Sequence, residues 1–251
     1  MSLPGVSVVM SAHNEERAIG DCLASVRTLA DELVVVDSGS TDGTAEIARG
    51  FGATVVPETN KLMLNINKNI AIEQAHHEWV LLLDPDERVS PELARELGEI
   101  AAGNGTFDGV WLPRRDRELG RWLSGASPQL RFFRNGSARF PCEHIHEMVE
   151  LHGTSQQAHG VLLHEPRQSL FEYVHKRNLY SEHRARALYV EGAPFQLRRL
   201  LLRPPVAFAK SYVVRGGWRA GVAGLVVASS AAYGTFLQDA KLWQLHEQGK
   251  D

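Results

Sequence analysis

The sequence predicts an α/β fold: a mostly parallel central sheet with helices on both faces, followed by C-terminal helices. Three observations carry this. Over roughly the first hundred residues, short apolar runs alternate with segments of helical periodicity. The runs are unbroken by polar residues, as in strands buried on both faces. After about residue 167 the strand-like pieces stop and the chain reads as helical.

Taken in order, residues 6–10 (Val-Ser-Val-Val-Met) read as a buried strand. Residues 15–28 read as a helix with Ile19, Leu23 and Val26 on one side. Residues 33–36 form a second strand that ends on Asp37. Residues 44–50 are a short helix for which Ser40, Thr41 or Asp42 offers a cap, with Gly50 near its end. Residues 53–56 are a strand, 68–75 a helix, and 79–83 a fourth apolar strand running into Asp84-Pro85-Asp86-Glu87. Residues 91–102 are a helix with Ser90 as N-cap and Pro91 at its first position. Between 107 and 164 the apolar pieces shorten (109–112, 130–133, 147–151, 161–164), which predicts short, partly antiparallel strands.

Residues 196–219 interleave Arg198, Arg199, Arg203, Lys210, Arg215 and Arg219 with aliphatic and aromatic residues. Residues 220–237 then carry no charge but are diluted by Gly, Ser and Ala. A spanning helix needs about 20 predominantly apolar residues, so this run is marginal. Lying in the interface of an anionic leaflet suits the pair better; packing on the rest of the chain or on a second copy, as a homodimer, is the plainer alternative.

A chain of 251 residues can bury one substantial core. Its net charge of −3 argues against nucleic-acid binding through a basic field. The two cysteines, Cys22 and Cys142, are far apart in sequence, as in a reduced cytosolic chain. No signal peptide opens the sequence, so cytoplasmic substrates and a cytoplasmic location are expected.

In an open parallel sheet, ligands bind beyond the carboxyl ends of the strands. Asp37, Asp84 and Asp86 all fall there, which makes them one candidate site. Asp84 and Asp86 can approach one hard cation; Mg²⁺ or Mn²⁺ held by one or two carboxylates and by substrate phosphates is the usual arrangement. A lone Asp-x-Asp is a weak signal, and a polar turn capping the next helix would read the same way. The turn Asp37-Ser-Gly-Ser-Thr-Asp-Gly-Thr44 lets the chain approach a planar ligand, and Asp37 can accept from a base or a ribose hydroxyl. Ser11-Ala-His13-Asn-Glu15-Glu ends the neighbouring strand.

These three segments together resemble family 2 glycosyltransferases, in particular the bacterial subgroup with lipopolysaccharide core β-glucosyltransferases. The likeness continues through Lys68-Asn69, residues 113–115, 120–122 and 129–134, His146-Glu147 and residues 236–243. It implies a GT-A fold over residues 1–166, with a nucleotide-sugar half (about 1–105) and an acceptor half (about 106–166). Residues 167–251 would be a helical, membrane-associating or dimerising region. It implies transfer with inversion from a nucleotide-diphosphate sugar, uridine preferred, to a lipopolysaccharide core or other lipid-linked glycan.

By residue, Ser11, His13, Glu15, Asp37, Lys68 and Asp84 would bind the nucleotide. Asp84 and Asp86 would hold the metal, with His164 a third candidate; His144 and His146 tempt in the same way. Arg131 and Arg134 could clamp the diphosphate or be surface charges. Glu147 is the candidate general base and Glu143 the second; a salt-bridged strand residue is the plain alternative for Glu147. The chain departs from the family pattern in having Asp37-Ser38 in place of two acids, Pro85 between the two aspartates, and a short segment at 123–128. A sugar nucleotidyltransferase is disfavoured because residues 11–16 hold no glycine. A non-catalytic sugar-nucleotide binder would have lost some of the acidic set, which is intact.

Overall fold

The computed structural model describes residues 3–61, 64–103, 106–123, 125–143, 147–166 and 169–249. The chain forms two compact units, residues 1–116 with 126–167, and residues 117–125 with 168–251.

In the first unit, β1 (Leu3–Ala12), β2 (Glu32–Asp37), β3 (Thr54–Pro57) and β4 (His77–Leu82) alternate with α1 (Ile19–Ser25), α2 (Thr44–Gly50) and α3 (Leu64–Glu73). β5 (Glu87–Val89), α4 (Pro91–Ala102), β6 (Gly109–Glu118), β7 (Arg121–Trp122), β8 (Ser127–Arg134), β9 (Ala138–Arg139), β10 (Glu150–Leu151), β11 (Ser155–Gln157) and β12 (Leu162–His164) follow, β7 belonging to the second unit. The sheet order is β3-β2-β1-β4-β8-β6-β12-β5. β1 to β4 run parallel, β8 runs antiparallel to both β4 and β6, and β12 is parallel to β6 but antiparallel to β5.

Both faces of the sheet are buried. Val8 and Met10 of β1 pack with Ile19 and Leu23 of α1 and Leu93 and Leu97 of α4. Val9, between them, packs on the other face with Ala71 and Ile72 of α3 and Phe133 of β8. Successive side chains thus meet opposite helical layers, which is why the strands read as unbroken apolar runs. Trp79 stacks on Phe132, with centroids 4.7 Å apart and planes 8° from parallel.

Several boundaries differ from expectation for identifiable reasons. Regular helix covers only Ile19–Ser25 of the predicted 15–28. Asn14 sits at a left-handed φ of 55°, and the amides of Asn14, Glu15 and Glu16 donate to Ser40 Oγ, Thr44 Oγ1 and Asp42 Oδ2 of the next turn. At the other end, the amides of Val26 and Arg27 bond three residues back rather than four, so the helix tightens and stops. α2 is capped by Asp42, whose Oδ1 accepts from the Thr44 amide (3.1 Å) and hydroxyl (2.5 Å); Ser40 and Thr41 do not cap it. Ser90 caps α4 as expected, accepting from Leu93 N at 3.2 Å. α3 begins a turn earlier than predicted. Its Asn67 and Asn69, weak helix formers, spend their side chains on neighbouring loops instead. Of the strand predicted at 147–151, only Glu150–Leu151 forms.

The second unit contains α5 (Leu170–Val190), α6 (Leu197–Ala209) and α7 (Val222–Gln248). α5 opens with a capping box between Ser169 and Glu172. The basic stretch is not one helix. Pro204 and Pro205 remove two amide donors within α6, and the helix widens to a π turn at Lys210–Val214. Gly216 then takes a φ of 70° before a 3₁₀ turn at Gly217–Ala220. Arg203 Nη1 donates to both oxygens of the buried Asp239 in α7, at 2.7 and 2.9 Å. No described helix is long and apolar enough to cross a membrane.

Candidate active site

Two corners lie at the carboxyl ends of the parallel strands. The first joins the end of β1 to the turn after β2, where Ala12 is in register with Asp37. Ser11 Oγ lies 3.1 Å from Ser38 Oγ, and Asn67 of α3 donates to Ser38 Oγ at 2.7 Å. His13 Nδ1 lies 2.9 Å from the Ser38 carbonyl, so this nitrogen carries the proton. Asn14 Oδ1 accepts from the amide of Thr41 at 2.8 Å, and the amide of Ser40 donates to Asp37 Oδ1 at 3.3 Å. Gly39, at φ 72°, provides the left-handed step that folds this turn back. Glu15 donates its amide to Thr44 Oγ1 at 2.7 Å. Ser11, His13, Glu15 and Asp37 therefore share one hydroxyl-rich corner. Asn14, Ser38 and Asn67 are its unpredicted members. Asn67 leaves its Oδ1 buried with no partner among the described residues.

The second corner is the turn from β4 to β5. Lys68 Nζ pairs with Asp84 Oδ1, and Arg131 Nη2 donates to Asp84 Oδ2 at 2.5 Å. The same Arg131 nitrogen lies 3.1 Å from Oε1 of the fully buried Glu87, which also receives Arg114 Nη1 at 3.3 Å. Glu87 Oε2 accepts from the Asp84 amide at 2.9 Å and so shapes the turn. Arg114 Nε lies 3.0 Å from Asp116 Oδ1. That oxygen is 2.8 Å from His164 Nδ1, while His164 Nε2 is 3.2 Å from Asp86 Oδ2. An unbroken line of ion pairs thus runs from Lys68 through Asp84, Arg131, Glu87, Arg114, Asp116 and His164 to Asp86.

The charges set one another. Burial would raise the Asp84 carboxyl, but Arg131 and Lys68 hold it far below the ordinary range. Burial would lower Arg131, but Asp84 and Glu87 raise it. For His164, burial is outweighed by the bonds to Asp116 and Asp86, which lift it to about 9. The ring is therefore a cation at neutral pH, with a carboxylate on each nitrogen. Asp86 and His164 come together as expected, whereas Asp84 is turned to Lys68 and Arg131. Among the described residues, no cluster of three or more His, Cys, Asp or Glu side chains is arranged as a metal cage.

Arg134 is not brought to this corner. Arg131 falls at an irregularity where β8 slips one residue against β6, between Phe132 and Leu130, while Arg134 lies in the regular part of the strand. Arg134 stands opposite Trp79 at the far end of β4, pairs with Glu78, and lies 4.7 Å over the Trp79 ring.

Glu147 lies on a loop whose start is tied to α3. Asn69 bonds both the amide and the carbonyl of Phe140, and its Nδ2 lies 3.3 Å from Cys142 Sγ. The Glu147 carboxylate accepts from the amides of Cys142 and Glu143, at 2.6 Å each. Glu143 contributes its backbone to this bond and is exposed. His144 and His146 lie outside the described residues.

Residues 7–155, more than half of the chain, match the Glycosyl transferase family 2 profile. The chain belongs to glycosyltransferase family 2. The matched span holds both corners up to Asp116, Arg131 and Glu147, and it ends before His164. The lipopolysaccharide core biosynthesis glycosyltransferase LpsC of Rhizobium meliloti (strain 1021) is 32% identical over 247 residues, spanning 93% of this chain and 90% of that protein. An uncharacterized glycosyltransferase of Rickettsia typhi is 28% identical over 255 residues, spanning 96% and 87%. Among solved structures, a Pyrobaculum calidifontis mannosyltransferase in complex with GDP-Man and Mn²⁺ superposes with a TM-score of 0.54 at 17% identity, over 96% of this chain and 87% of that one. S. aureus TarS residues 1–349 in complex with UDP gives 0.50 at 16% identity, over 98% and 92%. The family 2 enzyme has the GT-A fold, and it is a glycosyltransferase.

Proposed function

We propose that this glycosyltransferase moves a hexosyl group, with inversion, from a uridine-diphosphate donor to a lipopolysaccharide-core or other lipid-linked glycan at the cytoplasmic face of a bacterial membrane. The observation that carries the reading is the line of ion pairs at the β4–β5 turn. Lys68 and Arg131 are held on Asp84 as charged, oriented donors, and a diphosphate can take them over as one anion replacing another. The hydroxyl-rich corner beside them (Ser11, His13, Asp37, Ser38) offers donors and acceptors to a base and ribose. The likeness to a lipopolysaccharide core transferase supports the acceptor class.

A divalent cation, Mg²⁺ or Mn²⁺, suits the donor set on chemical grounds. Asp86 offers carboxylate oxygen, His164 would offer Nε2 once a cation displaces the proton that nitrogen carries, and Asp116 on Nδ1 is the kind of partner that orients a ligating imidazole. Asp84 is the further candidate, provided Lys68 or Arg131 passes to the donor. When bound, such a cation supplies neutralisation of charge on the departing diphosphate. The manganese in the Pyrobaculum mannosyltransferase complex supports this reading.

In direct displacement, the acceptor oxygen bonds to the anomeric carbon as that carbon's bond to the phosphate oxygen breaks. The electron pair leaves with UDP. The acceptor's proton goes to Glu147, whose carboxylate is held in place by two backbone amides; Glu143 is the second candidate. Glu147→Gln should lower transfer by about 10²–10⁴-fold while UDP binding persists, and near-normal turnover would move the base elsewhere. The test of the whole reading is a thermal-shift titration with UDP, with and without Mn²⁺. A ligand at about 100 times its dissociation constant stabilises by about 2.7 kcal/mol. A shift that requires Mn²⁺ and vanishes in Asp86→Ala supports the site; an unchanged shift in that variant overturns the metal assignment.

A further inference from the structure

The exposed side of α6 is apolar where a helix facing water carries charge. Leu197, Leu201, Leu202 and Val206 are 60–64% exposed, while Arg203 is turned inward onto Asp239 of α7. The exposed apolar run continues past the π turn through Val214 (79%), Trp218 (54%) and Val222 (77%). Charge on this stretch has one sign. From residue 192 to 238 there is no Asp or Glu, while Arg198, Arg199, Arg203, Lys210, Arg215 and Arg219 are present. The Arg219 guanidinium lies 5.1 Å from the Trp218 ring centre. A shallow hollow of about 310 Å³ at the break after α6 is walled by Val213, Arg215, Trp218 and Arg219, among others.

We propose that the outer face of α6 and the break that follows it dock on an anionic bilayer, with α6 lying flat in the headgroup region. Its 13 residues make a rod of about 20 Å, and no described helix can span. The charge pattern selects lipid over a second copy of the chain. Two such faces pressed together would bring Arg198, Arg199, Lys210 and Arg219 of one copy against those of the other, and like-charge juxtaposition is costly. A phosphate-bearing leaflet supplies anions to them, and its apolar boundary takes the leucines and Trp218. The proposal deepens the reading of a membrane-facing enzyme, yet its test needs neither donor nor turnover, so the two can fail separately.

The experiment is vesicle flotation of the full chain with phosphatidylcholine alone and with about one third phosphatidylglycerol. Binding should favour the anionic vesicles by more than about tenfold and weaken as salt shortens the screening length. The surface variant Leu201→Glu/Val206→Glu should lose roughly tenfold or more. Arg198→Gln/Lys210→Gln, which keeps the leucines, valines and Trp218 of the face, should lose about fivefold per cation. Neither should alter the UDP-dependent thermal shift. Binding that ignores lipid charge, no binding to either vesicle, or binding that survives both variants overturns the proposal. So does a concentration-dependent dimer dissolved by Leu201→Glu/Val206→Glu, which would assign the face to a second copy.

Discussion

The two corners of the site are built from opposite materials. Where β1 meets the turn after β2, the contacts are hydroxyl to hydroxyl, amide to hydroxyl and amide to carbonyl, through Ser11, His13, Asn14, Ser38, Ser40 and Asn67. Where β4 turns into β5, the contacts join full charges, and Glu87 and Arg131 are buried. A lattice built mostly of hydroxyls and backbone groups has few charges to rearrange when a ligand arrives, which suits recognition of a fixed outline. A buried chain of ions stands only while every partner is present. Lys68 and Arg131 can nevertheless exchange one anion for another of similar charge. The first corner is thus a frame and the second a set of cations on loan, the arrangement proposed above for a diphosphate.

The largest effect should come from removing a central charge of the second corner. Arg131→Met leaves Asp84 and Glu87 with one cation fewer in a buried setting, and breaking such a set costs about 3–5 kcal/mol. A urea titration should show the midpoint falling by that equivalent, with UDP binding lost as well. A shift below about 1 kcal/mol would mean the pairs act as ordinary surface bridges, and the contrast between the corners would fail.

Next in size is the pH response of His164, measured in metal-free protein with chelator present. Its folded value of about 9 lies above the ordinary value near 6.5. The proton is therefore held more tightly in the folded state. The stability it contributes is complete below about 6.5 and is lost as pH rises through about 9. Wild type should lose up to about 3 kcal/mol over that window, and His164→Gln should flatten the profile there. An equal slope in the variant would place the alkaline loss on other groups.

Much of this was legible in the sequence, and what was not has physical causes. The apolar runs marked the parallel strands, and their ends placed Asp37, Asp84 and Asp86 on one rim, because parallel strands share a direction. The Ser90 cap followed from Ser-Pro ahead of a helical pattern. Glu87 directly follows the acidic pair, and nothing local says that it is the buried member. Its partner Arg114, and Asp116 beyond that arginine, arrive from β6, set by a register that matches Leu162 with Arg114 and His164 with Asp116. Pairing across that sequence distance has no local signature. Arg134 is a different case. Its neighbour Arg131 falls where β8 slips register against β6, so strict alternation does not sort the two arginines, and only the pairing of Arg134 with Trp79 places it at the far end of β4.

The first corner should respond more mildly. Asn67→Leu removes the donor to Ser38 Oγ and to the Thr59 carbonyl but also deletes the orphaned Oδ1. The net cost should be about 1–2 kcal/mol, and a denaturant titration at neutral pH would check it. A loss of about 3 kcal/mol or more, the size expected when a buried ion set is broken, would tie Asn67 to the charged corner instead.

The smallest expected effect is at Asp42, and it tests what kind of frame the first corner is. Asp42 takes the Thr44 amide and hydroxyl on one oxygen and the Glu16 amide on the other. Those bonds offset the effect of burial and lower its carboxyl below the ordinary range. Asp42→Asn keeps an acceptor for the cap while removing the charge at the start of α2, so only the interaction with the helix dipole is lost, about 0.3–1 kcal/mol. Asp42→Ala removes the cap too and should cost about 1 kcal/mol or slightly more. If the asparagine variant matches wild type and the alanine variant does not, geometry holds this corner and charge does not. If both lose equally, the charge is what counts there, and the two corners differ in degree alone.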